Sequence, residues 1–349
     1  MRPVSVLAVA AELFPLIKTG GLADVAGALP LAMVAHGVAT TTLLPGYPAV
    51  LAALPDAEII AVLPQWFGGP AQLWRGQLAG LDLMVLDAPL LYDRPGGPYA
   101  GPDGADWPDN AIRFAALGRV AAWLGQRGVP GFTPDILHAH DWQAGLAMAY
   151  LQFNGGQRPR TVMTVHNLAF QGLFDASLLG ALGLPPESFV VEGVEFYGMI
   201  GFLKAGLVFA DRITTVSPRY AEDIKAPETG MGLDGLLRHR ADMLRGIVNG
   251  IDDKIWDPAT DPMLSARFDA ATIDHRGVNK RALQEFFRLR TEPGALLLGV
   301  ISRLTWQKGL DQLLETMPVL TGLGIQLAVL GAGEAQMEQG FAAAAAAHP

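Results

Sequence analysis

The sequence contains no cysteine and little charge. The absence of cysteine excludes disulfides and thiolate chemistry and favours a reducing compartment. Only 17% of the residues are charged, and the 34 acidic side chains outnumber the 25 basic ones, which gives a net charge of −9. This balance argues against a nucleic acid or an anionic membrane as a partner, although it allows a locally positive pocket for a small anion.

The chain also lacks a long hydrophobic run. Uncharged stretches such as 37–55 are interrupted by prolines and Gly46, so we expect no membrane span. Residues 2–11, RPVSVLAVAA, look like a short signal peptide, but Glu12 and Lys18 follow at once. The apolar run has the length of a buried parallel strand. We therefore expect a soluble cytoplasmic protein.

Half of the residues are hydrophobic, and 349 residues are enough for two α/β domains. Short apolar runs alternate with segments of helical period, which predicts βαβ units, a mostly parallel sheet and sites at the carboxyl ends of strands. Ser217-Pro218 predicts a capped helix start. The predicted strands are 4–10, 38–44, 58–63, 82–86, 135–139, 160–165, 211–216, 245–248, 296–301 and 325–330. The predicted helices are 22–36, 110–126, 142–152, 199–209, 218–224, 234–240, 275–289, 309–319 and 333–347.

Turn-rich segments indicate how the chain is organised. Residues 87–109 are rich in Gly, Pro and Asp and predict a long loop of the kind that is usually functional. The segment NGIDDKIWDPATDP, 249–262, predicts the domain boundary, with domains 1–250 and 251–349. The second stretch holds roughly two strands and three helices, too few for an independent doubly wound core. Because the chain ends in FAAAAAAHP within a predicted helix, we expect it to be truncated.

A glycine pair follows the first strand in IKTGGLADV, residues 17–25. The amides of Gly20 and Gly21 can approach an anion, the following helix adds the positive end of its dipole, and Lys18 adds a point charge. The segment matches neither the Walker pattern nor GxGxxG. From the residues alone, an ordinary β–α turn with a surface lysine and a phosphate cradle are equally good interpretations.

The segment ILHAHDWQAGL, 136–146, places His138, His140 and Asp141 between a strand and a helix. An H-x-H-D cluster is a conceivable metal site. We expect the two imidazoles to face different ways, however, since alternate strand residues point oppositely, and this favours buried, hydrogen-bonded histidines. Asp141 stands where either a helix N-cap or an acceptor for a substrate hydroxyl would lie.

The segment TVMTVHNLAFQG, 161–172, is a β-branched strand that ends in His166 and Asn167. A histidine at this place either caps the junction of strand and loop or contacts a ligand. The end of a strand in an open α/β sheet favours the ligand contact.

A second positive loop lies in GVISRLTWQKGLDQLL, 299–314. Arg303 and Lys308 flank a turn that leads into a helix, which suits a diphosphate, although a solvated basic turn is the common alternative. The segment LGAGEAQ, 330–336, begins like a dinucleotide fingerprint but has Gln336 at the third glycine position. No Ser-His-Asp nucleophile elbow and no evident pair of catalytic carboxylates occur in the sequence.

Together these motifs resemble the starch/glycogen synthase family of retaining glycosyltransferases. The resemblance covers the whole chain in order, through AAELFPLIKTGGLADVAGALP, LLPGYP, LYDRPGGPY, HAHDWQAGL, TVHNLAFQG, FLKAGLVFADRITTVSPRYAEDI, GLDGLL, VNGIDDKIWDPATD, NKRALQ and ISRLTWQKGLD. It implies two Rossmann-like domains facing a deep cleft, the GT-B architecture, with 1–250 on the acceptor side and 251–349 as the incomplete nucleotide-sugar domain. It also implies glucose transfer from ADP-glucose to the non-reducing end of glycogen or another α-1,4-glucan, with no metal and no cofactor.

The resemblance implies roles for the two positive loops. Lys18 and the amides of Gly20 and Gly21 would contact the diphosphate and glucose of the donor. Arg303 and Lys308 would grip the diphosphate and stabilise charge on the departing ADP. Closure of the cleft would exclude water, since hydrolysis of the donor is the competing reaction.

The resemblance implies further site residues at the other strand ends. His166 would line the glucose pocket, with its backbone carbonyl near the reacting carbon, while Asp141 and Asn167 would position sugar hydroxyls. The remaining candidates are Glu12, Asp24 and Tyr92, which would shape the donor or acceptor side, and Asn249 at a strand end near the boundary.

Two departures from the family pattern are Gly201, where a small polar residue is usual, and Met231, where an aromatic one is common. Since no carboxylate is an evident nucleophile, we favour front-face transfer. Without the rest of the second domain we expect little activity and an exposed apolar surface. A glucan-binding fragment without catalysis is therefore the alternative function, and a Rossmann oxidoreductase is disfavoured because no complete GxGxxG follows a strand.

Overall fold

The computed structural model describes residues 2–348 and divides into two compact units after Asn249. The boundary predicted from the sequence lies one residue further along. Within the described residues, no helix is both long and apolar enough to cross a membrane.

Residues 2–249 of the first unit form twelve strands and eight α-helices. Its strands are β1 (Val4–Val9), β2 (Val38–Pro45), β3 (Glu58–Trp66), β4 (Gly69–Leu78), β5 (Leu81–Asp87), β6 (Ile136–His140), β7 (Arg160–Val165), β8 (Leu173–Asp175), β9 (Glu195–Phe196), β10 (Met199–Gly201), β11 (Arg212–Thr215) and β12 (Leu244–Gly246). Its helices are α1 (Gly21–Met33), α2 (Pro48–Ala52), α3 (Pro89–Tyr92), α4 (Asn110–Arg127), α5 (Asp141–Asn154), α6 (Phe202–Phe209), α7 (Pro218–Asp223) and α8 (Asp234–His239).

The second unit holds two parallel strands and three helices within its described residues. In chain order these are α9 (Arg276–Phe286), β13 (Leu297–Ile301), α10 (Leu310–Gly322), β14 (Gln326–Leu330) and α11 (Ala335–Ala347). Its buried core consists of Leu304, Leu310 and Met337, with a few partly buried apolar neighbours.

The main sheet of the first unit has the order β12-β11-β7-β6-β1-β2-β5-β4-β3. The pairs β3–β4 and β4–β5 are antiparallel and the others are parallel, so the sheet is mixed at one edge. Strand β4 has no counterpart among the predicted strands, because Gly69, Pro70 and Gly76 give it the composition of a turn. Phe67 and Gly68, both at positive φ, form the tight turn that pairs β4 with β3.

Local turn chemistry also explains the remaining differences. The predicted helix 199–209 begins with β10, because the positive-φ turn at Tyr197 and Gly198 first folds β9 and β10 into a hairpin. The predicted long loop 87–109 opens with the short helix α3. The predicted cap is confirmed, since the Ser217 hydroxyl accepts a hydrogen bond from the Tyr220 amide at 2.9 Å.

Strand β1 lies where the strand order of the sheet reverses direction. The chain passes from β1 to β2 on one side, whereas β6 and β7 extend on the other side. In open α/β sheets, ligands bind outside the carboxyl ends of the strands at such a switch point. The loop after β1 and the histidines at the end of β6 therefore share this edge.

Close packing between helices holds α5 at the carboxyl ends of the strands. A Cβ on Gly145 of α5 would lie 2.1 Å from the carbonyl oxygen of Phe202, so α5 and α6 approach at a distance that only glycine allows. On the opposite side, Gly118 of α4 packs against the α5 backbone. These contacts fix α5, and with it the Asp141 and Trp142 that begin it.

Candidate active site

The loop after β1 is folded around a buried carboxylate, that of Glu12, which is 3% exposed. It accepts hydrogen bonds from the Thr19 amide, from the Thr19 hydroxyl at 2.6 Å and from the Gly20 amide at 3.3 Å. The Tyr99 hydroxyl donates a further hydrogen bond to it. Glu12 thus fixes the conformation of the loop from inside the protein. The Gly20 amide is hydrogen-bonded to Glu12 in this structure and does not point to a ligand.

The glycine pair leaves open space above the loop. Gly20 has an extended backbone with φ −158°, and a Cβ on either Gly20 or Gly21 would meet no atom within 4 Å. Because Gly21 is the first residue of α1, its amide has no acceptor within the helix. No side chain caps that helix either. Neither backbone conformation nor packing requires these glycines, which leaves room for a ligand against the helix N-terminus.

Lys18 and Asp24, both site candidates, pair with each other. The Lys18 Nζ lies 2.6 and 2.8 Å from the two Asp24 carboxylate oxygens, and both side chains are about half exposed. The lysine also lies over the Phe14 ring. Since exposed ion pairs are worth only ~0–1 kcal/mol, a ligand phosphate can replace Asp24 at little cost.

The histidines at the carboxyl ends of β6 and β7 form one cluster. The prediction that His138 and His140 face different ways is wrong, because residues two apart in a strand lie on the same face and their ring centroids are 4.1 Å apart. His140 Nδ1 lies 3.0 Å from His166 Nε2, and His138 Nε2 lies 2.6 Å from the Thr164 hydroxyl.

Burial keeps these three imidazoles neutral. It lowers the pKa of His166 to about 4, and burial with the neighbouring His166 does the same for His138. Burial, together with the neighbouring His138 and His166, lowers the pKa of His140 well below its usual value. A neutral imidazole carries one N–H and one acceptor nitrogen, so His140 and His166 can be joined by one donated hydrogen bond.

Asp141 joins the ends of two strands rather than capping a helix. It is the first residue of α5, with φ 55°, and its carboxylate accepts a hydrogen bond from the His166 amide at 2.7 Å. Burial raises its pKa to about 7, while the amides of His166 and Asn167 act in the opposite direction and the Glu12 charge adds to the rise. Asp141 thereby fixes the backbone of His166 and Asn167.

The structure separates Tyr92 from the candidate site. Tyr92 is 1% exposed, and its hydroxyl donates to the Arg113 carbonyl at 2.6 Å, so the side chain belongs to the core. Of the two tyrosines in LYDRPGGPY, Tyr99 is the one that reaches the glycine loop, through Glu12. Asn167 accepts from the Ala169 amide at 3.0 Å and orders the turn after β7, while Asn249 lies exposed beyond β12.

An aromatic pocket of about 700 Å³, which the sequence patterns did not predict, lies next to these residues. Trp142 packs edge-on to Phe114 at 4.8 Å between ring centroids, and it lines the pocket together with Tyr99. Trp142 in HDWQ and Tyr99 in GGPY are the sequence features that could have indicated this pocket. Aromatic residues in such patterns are, however, more often core residues. The other aromatic side chains that line the pocket are Trp107, Phe170, Phe174, Phe196 and Tyr197.

In the second unit, Arg303 and Lys308 lie on the loop between β13 and α10. Both are exposed, and neither has a carboxylate partner within residues 2–348. The turn after β14 packs against this loop, since a Cβ on Gly333 would lie 2.3 Å from the Leu304 carbonyl oxygen. That close backbone contact explains the glycines of LGAGEAQ without a ligand.

No group of three or more His, Asp or Glu side chains is arranged to hold a metal ion in the part of the chain that the structure describes. His138, His140 and Asp141 are instead hydrogen-bonded to the Thr164 hydroxyl, the His166 ring and the His166 amide, respectively.

Residues 5–239 match the family described as starch synthase catalytic domain. Over all 349 residues the chain is 61% identical to a glycogen synthase of Rhodopseudomonas palustris (strain BisA53) and 60% identical to one of Methylocella silvestris, of which it spans 71% and 72%. Among solved structures, the catalytic domain of starch synthase IV from Arabidopsis thaliana, bound to ADP and acarbose, is similar with a TM-score of 0.84 and 30% identity. That comparison covers 98% of this chain and 71% of the plant domain.

Proposed function

The chain belongs to the starch and glycogen synthase family of glycosyltransferases, and we propose that it transfers glucose from ADP-glucose to the non-reducing end of an α-1,4-glucan with retention of configuration. The observation that carries this proposal is the identity of about 60% over the whole chain to glycogen synthases. Similarity to a starch synthase domain bound to ADP and acarbose supports the donor and acceptor classes.

For the donor, we propose that Lys18 and the helix N-terminus at Gly21 contact the diphosphate and glucose. Lys18 would exchange its exposed pairing with Asp24 for a phosphate oxygen, and the open space at the glycines would admit the donor. Arg303 and Lys308, which have no ion-pair partner within residues 2–348, would stabilise charge on the departing ADP.

For the transferred glucose, we propose that the backbone carbonyl of His166 faces the reacting carbon. Asp141 holds that residue in place, and Asn167 would bind a sugar hydroxyl. Glu12 acts through the loop that it shapes, and Asp24 would bind the donor side once released from Lys18.

Retention is proposed to arise by front-face transfer. The bond between the anomeric carbon and the donor phosphate breaks, the acceptor hydroxyl oxygen bonds to the same face, and its proton passes to the departing phosphate. The buried carboxylates of Glu12 and Asp141 are already engaged by the protein's own amides. A trapped covalent glucosyl-enzyme would contradict this mechanism.

We further propose that the protein acts in the cytoplasm on ADP-glucose and glycogen, with no nucleic-acid or membrane partner. The lack of cysteine and the net charge of −9 support this assignment.

The substitution Gly21→Ala tests the donor site. Because a Cβ there meets no protein atom, the variant should be as stable as the parent or about 0.5–1 kcal/mol more stable. We expect kcat/KM for ADP-glucose, measured as ADP release with glycogen present, to fall by at least about tenfold, since the methyl group occupies donor space.

The matched control is Gly277→Ala, which adds a Cβ in open space near the start of α9. A Gly21→Ala variant with the kcat/KM of the parent would refute the donor site. If the parent binds glycogen in a pull-down but releases no ADP, the glucan-binding alternative replaces the proposed transfer.

A further inference from the structure

A second pocket of about 610 Å³ lies beside the aromatic pocket of the first unit. The two pockets share Phe196, Tyr197 and Gly232 in their walls. We call the second one the side pocket; Val191, Lys204, Leu236 and Arg240 are among the residues that line it. The two pockets form neighbouring sections of one surface, with Tyr197 on the border between them.

Tyr197 is both exposed and fixed in place. It lies at the turn between β9 and β10 with φ 49°, and 81% of the residue is exposed. Its ring packs edge-on to Phe196 at 4.7 Å between centroids. A Cβ on Gly232, which has φ 82°, would lie 3.0 Å from the Tyr197 ring. The protein thus seats the ring from below and leaves the rest of it open to a ligand.

The charges in the side pocket disfavour an anionic ligand. Lys204, 7% exposed, donates hydrogen bonds to the carbonyls of Val191 and Glu195. Arg240 donates to the carbonyls of Leu207 and Ala210, at 2.9 and 2.5 Å. Because both cations satisfy the backbone, neither is available to a phosphate or carboxylate.

The lining suits a neutral ligand with apolar faces and hydroxyl edges. Aromatic and aliphatic side chains line both pockets. Glu192, Glu195 and His239 add polar groups to the side pocket, and Asp106 and Gln171 bring carboxylate and amide groups to the wall of the aromatic pocket. A tyrosine presents an apolar ring and a polar tip, which matches the two kinds of surface on a glucose residue.

We propose that the acceptor glucan extends from the aromatic pocket across Tyr197 into the side pocket, with Tyr197 stacked against one glucose residue. This inference rests on the proposed function for the identity of the acceptor. It adds a subsite distant from the reacting end, which only a chain of several glucose residues reaches.

Binding of maltoheptaose and maltotriose, measured by calorimetry on the full chain without donor, tests the inference. We expect Tyr197→Ala to weaken maltoheptaose binding by about tenfold and maltotriose binding by less than about twofold, because only the longer chain crosses the ring. Tyr197→Phe keeps the ring and should bind both sugars as the parent does. The control Phe286→Ala, which removes an exposed aromatic side chain on α9, should change neither affinity.

Unchanged maltoheptaose binding in Tyr197→Ala would overturn the inference. Equal weakening for both sugars would also overturn it, since Tyr197 would then belong to the first subsites. The inference would also be overturned if the parent protein did not bind maltoheptaose. Because no donor is present, a tyrosine-dependent affinity in a protein without transfer activity would uphold the subsite and reject only the proposed function.

Discussion

At the scale of single residues, two buried carboxylates organise the candidate site. Glu12 accepts hydrogen bonds from the Thr19 and Gly20 amides of the glycine loop, and Asp141 accepts one from the His166 amide. A carboxylate buried in this way is stabilised by backbone N–H donors and destabilised by the loss of water. Their direct role is to hold loops in shape, which places the neighbouring ligand-binding groups.

The pKa of Asp141 leads to a prediction about stability. Its pKa is raised to about 7 in the folded protein, so between pH 4 and 7 the folded state keeps a proton that the unfolded state has lost. Rising pH in this window therefore disfavours folding, by up to about 1.4 kcal/mol per pH unit. The side chain in Asp141→Asn cannot titrate. The free energy of unfolding of this variant should therefore increase relative to that of the parent as the pH rises from 4 to 7.

Urea unfolding at several pH values measures this difference. Asp141→Ala serves as the second variant, because it leaves the His166 amide unpaired and should be less stable than Asp141→Asn by about 1–3 kcal/mol at every pH. A difference between Asp141→Asn and the parent that does not change with pH would show that Asp141 is ionised normally.

At the scale of secondary-structure elements, the junction of β6 with α5 and the loop after β7 are joined by direct contacts. The loop after β7 ends in Gly172, whose Cβ would lie 2.3 Å from the Trp142 ring at the start of α5. Gly172 also has φ 60°, where other L-residues are strained. The aromatic pocket thus depends on a glycine that seats the tryptophan.

We predict that Gly172→Ala is strongly destabilising. The backbone conformation alone costs about 1–2 kcal/mol, and the collision with Trp142 adds about 1–3 kcal/mol. Gly37→Ala is the matched control, because Gly37 has φ 72° but a Cβ there would meet nothing within 4 Å. Chemical denaturation compares the two variants, and equal losses would mean that the ring moves aside freely.

At the scale of the whole molecule, the two units differ greatly in the size of their cores. The main core runs from Leu7 to Leu244 and contains only residues of the first unit, whereas the second unit buries Leu304, Leu310 and Met337. Large apolar side chains such as Ile301 and Leu330, at the ends of β13 and β14, are exposed by 85% and 60%. The first unit has a core of the size that supports independent folding.

We therefore predict that residues 1–249 expressed alone fold cooperatively. A single sigmoidal urea transition, seen at the same midpoint by circular dichroism and tryptophan fluorescence, is the expected result. Residues 250–349 alone should give a broad transition, because their core is small. A first unit that lacks a cooperative transition would show that its stability depends on the remaining chain.

Much of the fold follows from local patterns in the sequence. Strand runs such as VSVLAV and RTVMTV are apolar over the length of a buried strand, and the helices between them keep their period, so β1, β7 and most other elements were predicted within a few residues. The strand β4 and the hairpin β9–β10 were missed, because their pairing depends on two-residue turns with positive φ rather than on hydrophobic period.

By itself, the sequence determined the α/β class, the family and the strand ends that carry Lys18, His166 and Arg303, since these depend on composition, period and motif order. How those strand ends are used depends on tertiary packing. Tyr99 rather than Tyr92 lies beside the glycine loop, and the His138 and His140 rings lie side by side on one face of β6. The physical reason is that burial and hydrogen-bond partners arise between segments distant in the chain, and no local pattern records them.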